Sequence, residues 1–396
     1  MKRKEFLKGV ATGAALVLLL IALTIIGLKI FNTVRFGFGN GVLNINKLSL
    51  LGKLEEVESA IDANGYYEAD SKKVEDYIFK GLMAALDDDY SVYYTAEEYQ
   101  TVRNNNKGIY IGSGIIISEY SDKGIIIKDV YQNSPAAEAG IVSDDIIVSL
   151  DGKLCNTMNQ EDIKTILRGE KDKVVHFTVE RPSTGEKMEM DIKIGEVELK
   201  YVTGIMLDDS IGYIFTESYS DATVKQFKDT YNSLAEQGMK ALILDVRNNG
   251  GGLVDSAVDI LDFLLPEGKL LTTKMRNGKS HVYNSDAEAK LTVPCVLLVN
   301  GKSASSAEIF AGALKDYGVA TLVGEKTYGK GIVQWTYILM DGSAIKFTTE
   351  HYFTPFDNDI HQKGIEPDIT MVDDPETEDD EQLSEAISIL KKSINN

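Results

Sequence analysis

The first charge-free run of the chain, Gly9 to Leu28, has Ala15-Leu16-Val17-Leu18-Leu19-Leu20-Ile21-Ala22-Leu23-Thr24-Ile25-Ile26 at its centre. At ~1.5 Å per residue it is long enough to span hydrocarbon as a helix. Lys2, Arg3, Lys4 and Lys8 precede it, so the positive-inside rule predicts a cytoplasmic N-terminus with everything after Lys29 translocated. A cleaved signal peptide is the alternative, but no small-residue cleavage site stands near Gly27 to Phe31, which favours an uncleaved anchor. Beyond the anchor the period becomes helical. Leu51, Leu54, Val57 and Ile61 fall on one face, and Val74, Tyr77, Ile78 and Leu82 on another, with Asn64-Gly65 breaking the pattern between them. Both faces are expected to pack. Asp87-Asp88-Asp89 lacks the spacing of a calcium loop and reads as a helix-ending acidic turn.

From Gly108 to about Ile194 the pattern is β-rich. Strands are predicted over Ile109 to Ser118, Gly124 to Val130, Ile146 to Leu150, Val174 to Glu180 and Met188 to Ile194, with a small-residue helix at Ser134 to Ala139 and a second at Asn159 to Leu167. The phrase Ser134-Pro135-Ala136-Ala137-Glu138-Ala139-Gly140-Ile141-Val142-Ser143-Asp144-Asp145-Ile146-Ile147, followed by Asp151-Gly152, resembles PDZ domains. Such domains bind an extended peptide tail by strand addition and hold its carboxylate with backbone amides. On that resemblance Gly112-Ser113-Gly114-Ile115 is the carboxylate loop; a plain tight turn is the alternative for its glycines.

The remainder alternates strand and helix. Ile211 to Ile214 is a strand and Ala222 to Gln237 a helix. Lys240 to Val246 is a buried strand that runs through Asn248-Asn249-Gly250-Gly251-Gly252 into a helix, Val254 to Leu265. Val296 to Val299 is another short apolar run, followed by the polar loop Asn300 to Ser306 and a helix, Ala307 to Tyr317. Ala320 to Val323 leads into Gly324-Glu325-Lys326-Thr327-Tyr328-Gly329-Lys330-Gly331 and a strand at Ile332 to Trp335; Tyr337 to Leu339 and Ser343 to Thr349 form a hairpin. An acidic linker, Asp373 to Glu381, precedes a last helix with Leu383, Ile387, Leu390 and Ile394 on one face.

Composition narrows the function. The 396 residues are 43% hydrophobic and 26% charged, which is ordinary for a chain of two or three globular domains. A net charge of −20 argues against a nucleic-acid partner, because phosphate binding needs Lys and Arg. Cys155 and Cys295 stand far apart and the four histidines are scattered singly, so neither a disulfide framework nor a metal site is indicated, and no cofactor is called for.

The chemistry concentrates between Pro294 and Trp335. Strand, loop and helix place Ser305 at a helix N-terminus, where free N–H groups and the positive dipole end stabilise an anion developing on a carbonyl. Ser305 with Glu308 is also an S-x-x-E capping box, which structure alone explains. Gly324 to Lys330 fills the first seven places of a G-x-x-x-x-G-K-[ST] phosphate loop, but Gly331 occupies the eighth and a strand follows. Gly250-Gly251-Gly252 lets backbone approach closely and aims N–H groups into a cleft. Two S-x-x-K pairs, Ser343/Lys346 and Ser388/Lys391, fall in a strand and in the tail helix, and no G-x-S-x-G elbow surrounds Ser305.

From about Leu48 to Leu390 the chain resembles the carboxyl-terminal processing peptidases, serine endopeptidases with a Ser/Lys dyad. The segments that carry the likeness are LMAALDDDYSVYYTAEEY, the PDZ stretch, LILDVRNNGGG, VNGKSASSAEIFAGAL, VGEKTYGKGIVQ and KGIEPDI. The resemblance implies Ser305 as nucleophile, with Ser303 as its competitor, Lys330 as general base and Gln334 as the assisting amide. It also implies an oxyanion hole from the N–H groups of Gly251 and Ser306. Gly250 replaces the family's usual proline, and Ser306-Ala307 reverses the usual Ala-Ser order. Lys330 and Gln334 are neighbours in a helical turn and share a face in a strand; the sequence leaves both open. A lysine that titrates near ~10.4 must be lowered by several units to act as a base.

The expected architecture is a multidomain α/β (α+β) protein. It comprises a cytoplasmic stub and single transmembrane anchor (1–30), a helical N-terminal region (31–106), a PDZ domain (107–196), a crotonase-like α/β peptidase core (197–372), and an acidic linker with a C-terminal helix (373–396). The function implied is a membrane-anchored, extracytoplasmic endopeptidase acting on proteins or peptides with accessible C-terminal tails. Homo-oligomerisation is left open. The alternative is a PDZ scaffold with an inactive peptidase core.

Overall fold

The computed structural model describes residues 43, 45, 47–286, 289–372 and 379–395. The apolar run Gly9 to Leu28 and most of the acidic linker lie outside the described residues. Among the described residues no helix is long and apolar enough to cross a membrane. The chain divides into two units, Met1–Ser71 and Lys72–Asn396. In the first, α1 (Lys47–Asn64) ends at the predicted break, where the Gly65 N–H donates to Ile61 O. Its expected packing face is not covered: Leu51, Val57 and Ile61 are exposed and only Leu54 is half-buried.

The second unit holds the rest of the fold. In α2 (Ser71–Ala84) three of the four residues of the expected face, Val74, Tyr77 and Ile78, are also exposed, and Leu82 is half-buried. Burial instead falls on Met83, and Phe79 stacks on Tyr93 at 5.3 Å, because β1 (Val92–Tyr94) lies against the neighbouring face. The following helix, α3 (Ala96–Lys107), starts with a Thr95/Glu98 capping box and stops at Gly108, whose φ of 78° suits glycine.

The PDZ unit follows, as β2 (Ile109–Gly112), β3 (Ile115–Tyr120), β4 (Ile125–Val130), α4 (Pro135–Glu138), β5 (Ile146–Leu150), β6 (Lys153–Leu154), α5 (Gln160–Arg168), β7 (Val174–Arg181), β8 (Glu186–Lys193) and β9 (Gly195–Glu198). Antiparallel pairing gives the order β3-β4-β5-β7-β8, with β6 on β5. Its own core, including Ile125, Ile127, Ile147, Phe177 and Val179, is closed by Ile163 and Leu167 of α5. Each such aliphatic or aromatic side chain contributes roughly 1.5–3 kcal/mol. The antiparallel pair β2–β9 brings the chain back beside its point of entry.

The core continues with β10 (Val202–Met206), β11 (Ile211–Thr216), α6 (Asp221–Glu236), β12 (Ala241–Asp245), α7 (Val254–Leu264), β13 (Gly268–Met275), β14 (Ser280–Ser285), β15 (Cys295–Val299), α8 (Ser306–Asp316), β16 (Thr321–Gly324), β17 (Ile332–Ile338), β18 (Ala344–Phe353), β19 (Ile369–Thr370) and α9 (Glu381–Ile394). The main sheet runs β10-β11-β12-β15-β16-β19 and is parallel from β11 onward. Strands β12 and β15 are buried at every position, as a parallel sheet covered on both faces requires. Leu242, Leu244 and Leu297 face α6, α7 and α8, while Ile243, Val296 and Leu298 face Ala386 and Leu390 of α9. A second antiparallel sheet, β1-β18-β13-β14 with β17 on β18, contains the predicted hairpin and also the β13–β14 hairpin, which is not among the predicted elements although Asn277-Gly278 marks its turn.

This topology places three loops at the carboxyl ends of adjacent parallel strands, where open α/β sheets bind ligands. They are Val246–Leu253 after β12, Asn300–Ser305 after β15 and Glu325–Gly331 after β16.

Candidate active site

Ser305 occupies the last position before α8 with φ 56° and ψ −117°, a conformation that non-glycine residues adopt only when their surroundings enforce it. The enforcing contacts are visible. The Ala304 N–H donates to Asn249 O at 3.0 Å and Tyr352 Oη donates to Ser305 O at 3.0 Å. Ser303, the competing serine, is buried, with its Oγ donating to Val246 O at 2.7 Å and accepting from the Asn300 N–H at 3.0 Å. That hydroxyl fixes the loop and has no access to a substrate.

The buried carboxylate of Glu308, on the first turn of α8, organises the site. Its Oε2 accepts from the Ser305 N–H at 2.9 Å and from the Lys330 N–H at 2.8 Å. Its Oε1 accepts from Thr327 Oγ1 at 2.6 Å and from the Gly329 N–H at 2.7 Å. The half of the capping box in which the glutamate caps the helix is therefore present. The same carboxylate ties the serine loop to the lysine loop, a role that a capping pattern in sequence does not announce.

Lys330 is half-buried ahead of β17. Burial lowers its amine first, and the charge of Lys346 lowers it further, against the opposing pull of Asp88 and Glu308, leaving it at about 8. The chain enters β17 directly after Gly331, so the phosphate-loop alternative lacks the helix N-terminus it needs. Lys330 Nζ lies 4.0 Å from the centroid of the Tyr90 ring. No hydrogen bond joins Lys330 Nζ to Ser305 Oγ. Tyr90 belongs to the acidic turn read as merely helix-ending. There the Tyr90 N–H donates to Asp88 Oδ1 at 3.1 Å and Ser91 Oγ to Asp88 Oδ2 at 2.6 Å. Burial raises the Asp88 carboxyl, but hydrogen bonds from Ser91, Thr348 and the Tyr90 amide outweigh it and hold it below the usual range.

Gln334 lies within β17, which settles the open alternative in favour of a strand. A bulge between Val333 and Gln334 interrupts the alternation, and Gln334 Nε2 donates to Thr348 Oγ1 at 3.2 Å across the β17–β18 pair. No hydrogen bond joins it to Lys330.

Gly251, at φ 103°, is pressed against the serine loop. A Cβ built on it would stand 2.8 Å from Ser305 Cβ and 3.1 Å from Ser306 N. Its own N–H is turned onto Asn249 Oδ1 at 2.8 Å, while Ser218 Oγ and the Tyr219 N–H hold its carbonyl. Ser306 opens α8, where backbone N–H groups have no intrahelical acceptor, and its Oγ donates to Gly252 O at 2.9 Å. The two expected oxyanion donors are thus adjacent, one of them engaged internally.

The PDZ loop residues sit between β2 and β3. Gly112 ends β2 opposite Gly195, and Ile115 begins β3 opposite Val130. Gly114 (φ 89°) packs so closely on Ser134 that a Cβ would overlap it at 2.1 Å. The Ser113 N–H donates to Leu167 O at the end of α5 at 2.8 Å, so that amide is already engaged. Among the described residues no group of three or more His, Cys, Asp or Glu side chains could hold a metal.

Comparison with known proteins matches the sequence model of Peptidase family S41 to residues 210–371 and that of a PDZ domain to residues 126–181. The chain is 34% identical over 322 residues to the carboxy-terminal processing protease CtpA of Bacillus subtilis (strain 168), covering 81% of this chain and 69% of that protein. It is 33% identical over 333 residues to a probable CtpA-like serine protease of Staphylococcus aureus (strain COL), covering 83% and 66%. The chain therefore spans about two thirds of the length of these relatives. A solved structure provisionally described as an S41 protease from Bacteroides fragilis NCTC 9343 shares the fold, with a TM-score of 0.50 at 15% identity over 83% of this chain and 93% of that one.

Proposed function

The chain belongs to peptidase family S41, among the carboxy-terminal processing serine proteases that carry a PDZ domain, and on that footing we propose a Ser305/Lys330 mechanism for it. The observation that carries the proposal is the single Glu308 oxygen receiving the amides of both residues, which joins nucleophile and base through one rigid group. Neutral Lys330 takes the proton from Ser305 Oγ as that oxygen bonds to the substrate carbonyl carbon. The resulting ammonium then gives the proton to the leaving amine as the peptide C–N bond breaks. Water releases the acyl-enzyme by the same proton path reversed. The N–H groups of Gly251 and Ser306 receive the oxyanion, which requires the Gly251 amide to leave Asn249 Oδ1. Gln334 acts through Thr348 at the edge of the lysine site.

The proposal extends to the whole chain. The PDZ unit captures protein or peptide C-terminal tails at Gly112 to Ile115, and the core cleaves upstream of the tail. The run Gly9 to Leu28 anchors the enzyme in the cell membrane with the N-terminus cytoplasmic and the catalytic part extracytoplasmic. The parallel sheet with its loops at the carboxyl ends suits the crotonase-like core that the resemblance implies.

The test uses the region after Lys29 as wild type, Ser305→Ala and Lys330→Ala, with a flexible protein bearing an apolar tail as substrate. The expected result is cleavage by wild type and none by either variant. Equal proteolysis by all three overturns the assignment, and tail binding without turnover by wild type points to the scaffold reading.

A further inference from the structure

The lysine's neighbour is an aromatic face rather than a carboxylate. No ion pair joins Lys330 to Asp88, whose oxygens take the Ser91 hydroxyl and the Tyr90 amide. The Glu308 oxygens are filled by three amides and a hydroxyl. The charged groups bearing on the amine are Lys346, which repels the ammonium, and Asp88 and Glu308, which favour it. Lys346 itself leans over Tyr94, with Nζ 5.6 Å from the ring centroid. Lys330 Nζ, at 4.0 Å from the Tyr90 ring centroid, lies well inside the range in which a ring quadrupole holds a cation.

Tyr90 is not free to move away. Its amide is pinned by Asp88, and the Ser91 N–H closes the turn on Asp88 O at 2.9 Å. The chain then enters β1, where Val92 pairs with Lys346 of β18. Tyr93 is buried, stacked on Phe79, with its Oη donating to Asp76 Oδ1 at 3.1 Å. Tyr90 Oη lies 3.5 Å from Tyr328 Oη, two residues before the lysine. The ring is therefore a fixed wall of the lysine site, contributed by a segment far away in sequence.

We propose that Tyr90 is a positioning residue for the general base, its ring face receiving the Lys330 ammonium at rest and again when the amine has taken the Ser305 proton. The inference rests on the Ser305/Lys330 mechanism above. A π face suits this duty because it stabilises the cation without adding a net negative charge that would hold the lysine protonated more firmly. The amine can therefore cross from the ring to the serine hydroxyl once it is neutral, and return when charged.

Tyr90→Leu keeps apolar bulk and removes the π face; Tyr90→Phe keeps the face and removes the hydroxyl. The acid limb of kcat/KM against pH is measured for each, beside Lys330→Ala. Losing cation stabilisation favours the neutral amine. The limb of Tyr90→Leu is thus expected to move to lower pH by about 0.4 to 1.5 units, with a several-fold lower plateau because the base is weaker, while Tyr90→Phe follows wild type. A limb that stays in place or moves upward in Tyr90→Leu, or Phe behaving as Leu, overturns the proposal; turnover by Lys330→Ala at the wild-type rate overturns both it and the mechanism. Lysine side-chain NMR of the wild type gives a readout independent of variant folding. Ring-current displacement of the Lys330 Hε resonances is expected, and its absence overturns the proposal.

Discussion

At the scale of single residues, the proposed chemistry turns on the state of one amine. With Lys330 at about 8, it is an ammonium at lower pH and cannot accept the serine proton. Peptidase activity is therefore expected to rise about tenfold per pH unit below ~8 and to level above it, measured as kcat/KM on a peptide whose own groups do not titrate in that window. Glu308 makes a second prediction. Its carboxylate accepts four hydrogen bonds, and its charge favours the lysine ammonium. Glu308→Gln removes the charge and turns an NH₂ toward groups that already donate, leaving buried donors unpaired at ~1–3 kcal/mol each. Thermal unfolding is expected at a clearly lower temperature, turnover should fall sharply, and the residual activity should have its acid limb at lower pH than wild type. A limb at the wild-type position would mean that the carboxylate does not act on Lys330.

At the scale of elements, the site is assembled from three loops at the ends of β12, β15 and β16, and its tolerance to change follows from how tightly they interlock. Gly251 combines a positive φ with contacts that leave no space for a methyl group. Gly251→Ala is expected to lose activity on a short peptide by two orders of magnitude or more and to destabilise the fold by about 1–3 kcal/mol, as measured by denaturant unfolding. Wild-type kinetics in that variant would remove Gly251 from the oxyanion assignment. Much of this layout was legible beforehand. The apolar runs at Lys240 to Val246 and Val296 to Val299 are strands because every position is buried, and the loops after them carry the residues singled out by type and spacing. What stayed hidden depends on long-range pairing. The β13–β14 hairpin is the exception, because Asn277-Gly278 between its strands is a local turn signal that identifies it, whereas the pairing of β13 with β18 is long-range. Glu308 looked like an ordinary cap because its second set of partners, Thr327, Gly329 and Lys330, arrives from another loop. Tyr90 could not be placed beside Lys330 from sequence, since its nearest link to that loop, Tyr328, is 238 positions away. The exposed faces of α1 and α2 went the other way: their helical period was plain, but period alone does not say whether a partner surface covers the stripe.

At the scale of the whole molecule, the chain joins a PDZ unit with its own core to a peptidase core through the β2–β9 pair. The proposed tail capture at Gly112 to Ile115 faces a local competitor, because the Ser113 N–H is already bonded to Leu167 O. A tail carboxylate must displace that neutral acceptor, and a charged acceptor does so at an advantage, since hydrogen bonds to ionised groups are worth ~1.5–3 kcal/mol against ~1 for neutral ones. A C-terminal amide has no such advantage. Amidating the tail of an otherwise identical flexible substrate is therefore expected to raise KM by roughly tenfold or more while leaving kcat unchanged, measured with the region after Lys29. The short-peptide activity of the same preparation serves as control, because a peptide too short to reach the PDZ unit reports on Ser305 and Lys330 alone. If amidation lowers kcat as well, tail binding also acts on the loops around Ser305, and the rearrangement of the Gly251 amide is the first place to look. If it alters neither constant, the carboxylate assignment of the loop is wrong even though the peptidase core stands.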